Sequence, residues 1–212
     1  MNLSGVYAIT DDLLLPGPLL FSATEAALEG GVSLIQYRSK EGSPAQRLKN
    51  AQKLATLCRK YETPLIINDD ISLCESSQAQ GVHLGHTDGS VKSARQQLGC
   101  EAIIGVTCHS SIEEALAAEK NGASYVAFGR FFPSKSKPQA PLANLEILNQ
   151  ARVALTIPIV AIGGINAENS SHVLLAGADM LAVIHGIFGR HDVLKHSKAL
   201  VDICAAHSSL NS

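Results

Sequence analysis

Pro64-Leu65-Ile66-Ile67-Asn68-Asp69-Asp70 is a short apolar run that stops in three polar residues able to bind a ligand. Working outward, the same form recurs at Gly5–Ile9, Ser33–Gln36, Gly81–Leu84, Ala102–Val106, Ser124–Phe128, Pro158–Ile162 and Met180–Ile184. These runs end in Thr10-Asp11-Asp12, Arg38 with Lys40, Gly85 with Asp88, Thr107-Cys108-His109, Arg130, Gly163-Gly164 and His185. The runs are rich in Val and Ile and mostly continuous, as parallel strands buried on both faces are. Polar groups at the same end of every strand build one functional rim, the arrangement of a (β/α)8 TIM barrel in the α/β class. A doubly wound open sheet is the alternative. The eight runs and the lack of a G-x-G-x-x-G after the first one favour the barrel.

The segments between runs carry helical punctuation. Ser43-Pro44 supplies an N-cap and a first-turn proline, and Leu48, Ala51, Leu54, Ala55 and Cys58 repeat at three or four. Ser22-x-x-Glu25 and Ser110-x-x-Glu113 have the form of capping boxes. Gly30-Gly31, Gly81, Gly122 and Gly177 are expected at helix exits. Strand, helix and glycine joint return about every 25 residues, as repeated βα units do.

With 212 residues the chain is expected to form one domain over 1–212, long enough to bury about 70% of its unfolded surface without staples. A net charge of −2 with no run of like charges argues against a nucleic-acid partner. Cysteines 58, 74, 100, 108 and 204 are odd in number and form no C-x-x-C pair, which fits a reducing compartment. No basic leader opens the sequence, and no apolar stretch approaches the ~18 residues of a membrane span. The cytoplasm is the expected location, with no membrane partner. The mixed helix faces leave a homo-oligomer open.

Four groups carry candidate chemistry. Asp69 and Asp88 follow the third and fourth runs, so adjacent strands bring both to one rim. Two such carboxylates suit Mg²⁺, which takes one or two of them together with waters and substrate phosphates. Either aspartate alone reads as a helix cap, and Asp70 has that reading too. Gln36, Arg38 and Lys40 alternate after the second run and point one way if the strand continues. An amide, a guanidinium fork and an ammonium at one spot read as a phosphate or diphosphate clamp. Gln36 sits in an apolar run and needs a buried partner. Ser134-Lys135-Ser136-Lys137, within the Pro133–Pro141 loop, suits an anion-binding lid. Gly163-Gly164 and Ile184-His185-Gly186 end runs seven and eight, where barrels often hold a phosphate. His83 reads as a hydrogen-bonded core or rim histidine. His109 and His185 are rim candidates without metal-ligand spacing, which sets zinc aside. A Cys108–His109 dyad is disfavoured, because neighbours on a strand face opposite ways.

Together these pieces resemble the thiamine-phosphate synthase family nearly end to end. The likeness is carried by Tyr7–Asp11, Gln36–Lys40, Ile67–Asp69, Gly81–Gly85, Gly105–His109, Phe128–Gly129 through Pro133, Lys137 and Ile162–Ile165. The resemblance implies a transferase of thiamine biosynthesis. It would join hydroxymethylpyrimidine diphosphate to thiazole phosphate, or its carboxylated form, giving thiamine phosphate and diphosphate. By position, Gln36, Tyr37, Arg38, Ser39, Lys40, Asn68 and Lys137 would hold the pyrimidine diphosphate, with Arg38, Lys40 and Lys137 stabilising the leaving group. Asp69 and Asp88 would bind Mg²⁺, and Thr107 would contact the pyrimidine. Ser134, Lys135, Ser136, Gly164, Ile184 and His185 would bind the thiazole phosphate.

The chain departs from the family's more usual Glu at 39, Gln at 86, Ser at 107, Thr at 134 and 136, and Ser at 185. The hydroxyl exchanges keep their contacts, Ser39 loses a charge, and the bulk of His185 favours a backbone contact there. The rival readings are a thiazole tautomerase of the same barrel family and a non-catalytic sensor of a phosphorylated metabolite. Neither needs the paired aspartates together with the diphosphate clamp.

Overall fold

Gly5–Ile9 (β1) pairs in parallel with Leu34–Tyr37 (β2) on one side and Met180–Val183 (β8) on the other, so the sheet has no free edge. The computed structural model describes residues 3–85, 87–134 and 141–210. Among them the barrel is completed by Leu65–Asn68 (β3), Gly81–Leu84 (β4), Ile103–His109 (β5), Tyr125–Gly129 (β6) and Ile159–Ile162 (β7), in sequence order. The helices alternate with them: Leu19–Glu29 (α1), Pro44–Lys60 (α2), Ile71–Ser77 (α3), Val91–Leu98 (α4), Ile112–Lys120 (α5), Glu146–Ala154 (α6), Ser170–Leu175 (α7) and Val193–Leu210 (α8). This is the expected (β/α)8 barrel.

The continuous apolar character of the strands follows from two separate cores. Tyr7, Ile9, Leu34, Ile66, Tyr125, Ala127, Val160, Met180 and Ala182 fill the barrel interior. Their strand neighbours, such as Val6, Ala8, Ile35, Ile67, Val82, Val126, Ala161 and Leu181, pack outward against the helices. Period-two alternation thus divides each run between two apolar layers.

The helices show where local signals were placed correctly and where they were not. Ser43 caps α2, accepting from the Gln46 N–H at 3.2 Å, with Pro44 in the first turn. Ser22 lies inside α1, which starts after Pro18, and its hydroxyl donates to the Leu19 carbonyl at 3.4 Å. The expected box at Ser110 falls one residue late: Ser111 caps α5 by accepting from Glu114 N–H at 3.1 Å. Gly81 belongs to β4, and α3 instead exits through left-handed Gln78.

Candidate active site

The strand C-termini open onto a cavity of about 610 Å³, within the usual range for small-molecule sites. Gln36, Arg38 and Lys40 all line it, although β2 stops at Tyr37. The residues after β1 hold that departing loop. Thr10 Oγ1 accepts from Arg38 N–H at 3.0 Å, and Asp12 Oδ2 accepts from Lys40 N–H at 2.6 Å and Glu41 N–H at 3.1 Å. Asp11 lies 3.5 Å from the Arg38 guanidinium, with both side chains largely buried.

Tyr37 and Ser39, between those three, face elsewhere. They line an adjoining cavity of about 300 Å³ with Lys40, Arg47, Asn68, Asp69 and Asp70. Tyr37 belongs to the outer core, and its Oη accepts from Asn50 Nδ2 at 3.5 Å. Ser39 donates to the Glu41 carbonyl at 3.1 Å.

Asn68, Asp69 and Asp88 line the main cavity beside the clamp. Asp69 is turned there by a left-handed backbone, φ 66°, a conformation aspartate tolerates better than most residues. Its N–H donates to the His83 carbonyl at 2.8 Å, tying β3 to β4 at the rim. Asp88 is held by the Gly85 N–H, which donates to Oδ2 at 2.9 Å. Burial raises the Asp69 pKa, the facing Asp88 charge raises it further, and Lys40 opposes the shift. Like charges held this close favour a cation between them. No third His, Cys, Asp or Glu joins the pair among the described residues. A pair of carboxylates with room for other oxygen ligands is a donor set of the kind Mg²⁺ takes. Asp70 is the cap of α3, accepting from Leu73 N–H at 2.8 Å.

On the opposite rim, Ser134, Gly163, Gly164, Ile184 and His185 line the same cavity. Gly163 and Gly164 have φ of 105° and 68°, and a side chain on Gly164 would run into Phe132 and Pro133. Only glycine lets this rim turn and pack so closely. Lys135, Ser136 and Lys137 lie outside the described residues.

A chain of side chains crosses the cavity floor. Gln36 Nε2 donates to Tyr7 Oη at 2.6 Å, which is 2.8 Å from Tyr125 Oη. Tyr125 Oη lies 2.9 Å from His83 Nδ1, and His83 Nε2 lies 2.8 Å from Thr107 Oγ1. Gln36 therefore has its buried partner, and His83 uses both ring nitrogens in the protein. Gly105 pairs with Tyr125 across β5 and β6, and any β-carbon there would overlap the tyrosine ring. Burial pushes both tyrosine hydroxyls above their ordinary pKa, so they stay protonated at neutral pH.

The register of β5 against β6 shifts between Thr107 and His109. The bulge lets both line the cavity while Cys108 turns into the outer core. Cys108 Sγ contacts the Val106 carbonyl at 3.8 Å, and burial raises its thiol to about 12, so no Cys108–His109 dyad forms.

Sequence reasoning did not single out Tyr7, Tyr125, Asn166, Arg190 or Arg47 as lining or supporting groups. The signal for the tyrosines was their inward parity with Ile9 and Ala127, legible only once the register is known.

Residues 6–187 match the family described as thiamine monophosphate synthase. A thiamine-phosphate synthase of Nitrosococcus oceani is 50% identical over 192 residues, covering 91% of this chain and 88% of that protein. The solved thiamine phosphate pyrophosphorylase from Pyrococcus furiosus aligns with a TM-score of 0.87 at 35% identity, covering 96% of each chain. Orotidine 5'-phosphate decarboxylase from Pyrococcus horikoshii, with a TM-score of 0.65 and 15% identity over 93% of this chain and 99% of that one, shares the fold alone. A match of this extent, on a barrel whose rim holds paired aspartates beside a cationic clamp, places the chain in the thiamine monophosphate synthase family.

Proposed function

We propose that the cavity joins hydroxymethylpyrimidine diphosphate to thiazole phosphate, and that its two rims divide the substrates. The observation that carries this reading is charge segregation within one cavity. Arg38, Lys40, Asp69 and Asp88 stand on the rim after β2 to β4, while the rim after β6 to β8 offers Arg130, Gly163, Gly164, His185 and Arg190 and, among the described residues, no carboxylate. The first set suits a diphosphate with its metal, and the second suits a monophosphate held by backbone.

The reaction begins as the bond from the pyrimidine methylene carbon to the diphosphate oxygen breaks, both electrons leaving with diphosphate. Electron release from the ring amino group stabilises the positive carbon left behind. The thiazole nitrogen then gives its lone pair to that carbon, forming thiamine phosphate. Arg38 and Lys40 oppose the charge growing on the leaving group, the task of a preorganised electrostatic site. Asp69 and Asp88 would hold Mg²⁺, which when bound supplies further neutralisation of diphosphate. Lys137 is assigned to the same leaving group by family position. Gln36, Asn68 and Thr107 orient the pyrimidine. Ser134, Lys135, Ser136, Gly164, Ile184 and His185 hold the thiazole phosphate so that its nitrogen faces the reacting carbon. Tyr37 and Ser39 line the adjoining cavity, and family position assigns them to the same diphosphate.

Nothing in this chemistry needs a nucleophilic side chain or a strong base. A tautomerase acting on thiazole phosphate would leave the aspartate pair and the clamp without a task. Among the described residues no helix is long and apolar enough to cross a membrane, and the proposed setting is cytoplasmic.

The test is diphosphate release from purified protein given each substrate alone and both together, with Mg²⁺ and with chelator. Release only with both substrates and metal is expected. Absence of thiamine phosphate under those conditions would sink the reading.

A further inference from the structure

Family position assigns no task to two cations on the acceptor rim. Arg130 follows β6 and Arg190 precedes α8, and both line the main cavity. Each is rooted beside one of the two backbone seats for phosphate, Arg130 at Gly163-Gly164 and Arg190 at His185.

Arg130 is fixed against β7. Phe131 N–H donates to the Ile162 carbonyl at 3.2 Å and Phe132 N–H to the Gly163 carbonyl at 3.0 Å, while the Arg130 carbonyl accepts from Ala143 N–H at 2.8 Å. A β-carbon on Gly163 would overlap the Arg130 side chain, so position 163 is glycine to let Arg130 cover it. The half-buried guanidinium donates to the Phe132 carbonyl at 3.4 Å. Arg190 comes from the other side. After β8 the chain folds back in a tight turn, with Gly189 N–H donating to the His185 carbonyl at 3.2 Å and Arg190 N–H to the Ile187 carbonyl at 3.3 Å. The turn leaves Arg190 exposed at the cavity edge. Between the two, Gly186 packs on the Ile165 carbonyl too closely for any side chain, which joins the β7 and β8 loops into one surface.

A rim with two guanidiniums and, among the described residues, no carboxylate draws an anion. A phosphate monoester carries about −1.5 to −2 at neutral pH, whereas backbone N–H groups offer dipoles without a whole charge. Guanidinium forks match phosphate oxygens in both charge and geometry. We infer that Arg130 and Arg190 bracket the acceptor phosphate, Arg130 as a fixed partner from the β6 side and Arg190 as an arm from the α8 side. The identity of the acceptor rests on the synthase reading; the anion bracket does not.

The test compares thiazole phosphate with unphosphorylated hydroxyethylthiazole, both titrated calorimetrically. Arg130→Gln and Arg190→Gln should each weaken thiazole phosphate by roughly tenfold and leave the alcohol unchanged. Arg130→Lys keeps the charge and loses the fork, so its affinity should fall between those of the native protein and Arg130→Gln. In turnover, the KM for thiazole phosphate should rise while the KM for the pyrimidine diphosphate stays put. High salt should erase the loss in Arg190→Gln, the exposed site, more than the loss in Arg130→Gln. Native-like affinity for thiazole phosphate in either folded glutamine variant, or equal losses for phosphate and alcohol, would overturn the inference. Should the native protein bind no thiazole phosphate, the synthase reading fails, and inorganic phosphate becomes the probe. Arginine-dependent phosphate binding then upholds the bracket; arginine-independent binding, or none, overturns it.

Discussion

At Asp69, burial and the Asp88 carboxylate both disfavour the charged form, which Lys40 and a cation favour. Asp69→Asn removes the charge while keeping size and shape. Turnover in Mg²⁺ should drop by ~100-fold or more, with an unchanged circular dichroism spectrum. Near-native activity would remove Asp69 from the metal site. The cysteines give a second check at this scale. Cys58, Cys74 and Cys108 are buried with thiols raised to about 12, and buried Cys204 to about 11. Only Cys100 is exposed. A maleimide at neutral pH should label one thiol in the native protein and five after denaturation. Asp69 and Asp88 were readable from sequence because their positions depend only on which strand each follows. Tyr125 was not, because its role depends on Gly105 leaving space on the neighbouring strand, a fact of register.

Single elements matter here through the loops they release. The segment after β1 does not itself line the cavity, yet Thr10 and Asp12 fix the backbone that presents Arg38 and Lys40. Asp12→Ala removes two charge-assisted hydrogen bonds from that loop. The expected outcome is a roughly tenfold higher KM for the pyrimidine diphosphate, about 1.4 kcal/mol, with the KM for thiazole phosphate unmoved. Equal rises in both would mean a general loss of order. The same scale shows where local patterns mislead. Ser22-x-x-Glu25 has the form of a cap, but the chain is already helical from Leu19, so Ser22 spends its hydroxyl on a carbonyl within α1. Ser43-Pro44 was decisive because proline also fixes the first helical φ.

For the whole molecule, the barrel separates stability from chemistry by face. At the end away from the cavity, Glu119 Oε1 accepts from the Thr156 hydroxyl at 2.7 Å, Thr156 N–H at 2.8 Å and Ile157 N–H at 3.1 Å. These bonds hold its carboxyl below the usual 4.5, despite some opposing desolvation. A lowered folded-state pKa stabilises above the ordinary value and is lost as pH falls through the lowered one. Glu119→Gln should therefore lower Tm by about 2 °C at pH 7. The difference from native protein should vanish in acid, and kcat should be unchanged. A gap that persists once the Glu119 carboxyl is protonated in the folded protein would refute the ionic account.

The closed strand order was legible from eight runs with polar ends, yet closure itself has a consequence for synthesis. β1 needs β8 as well as β2, and β8 begins only at Met180. A nascent chain therefore carries its first strand with one unpaired side until nearly the whole sequence has left the ribosome. Until then that edge is open to wrong partners, and the barrel's last hydrogen bonds are also those of longest sequence separation. Maturation should thus be governed by the release of the segment from Met180 onward, and slowing translation through it should prolong the aggregation-prone interval.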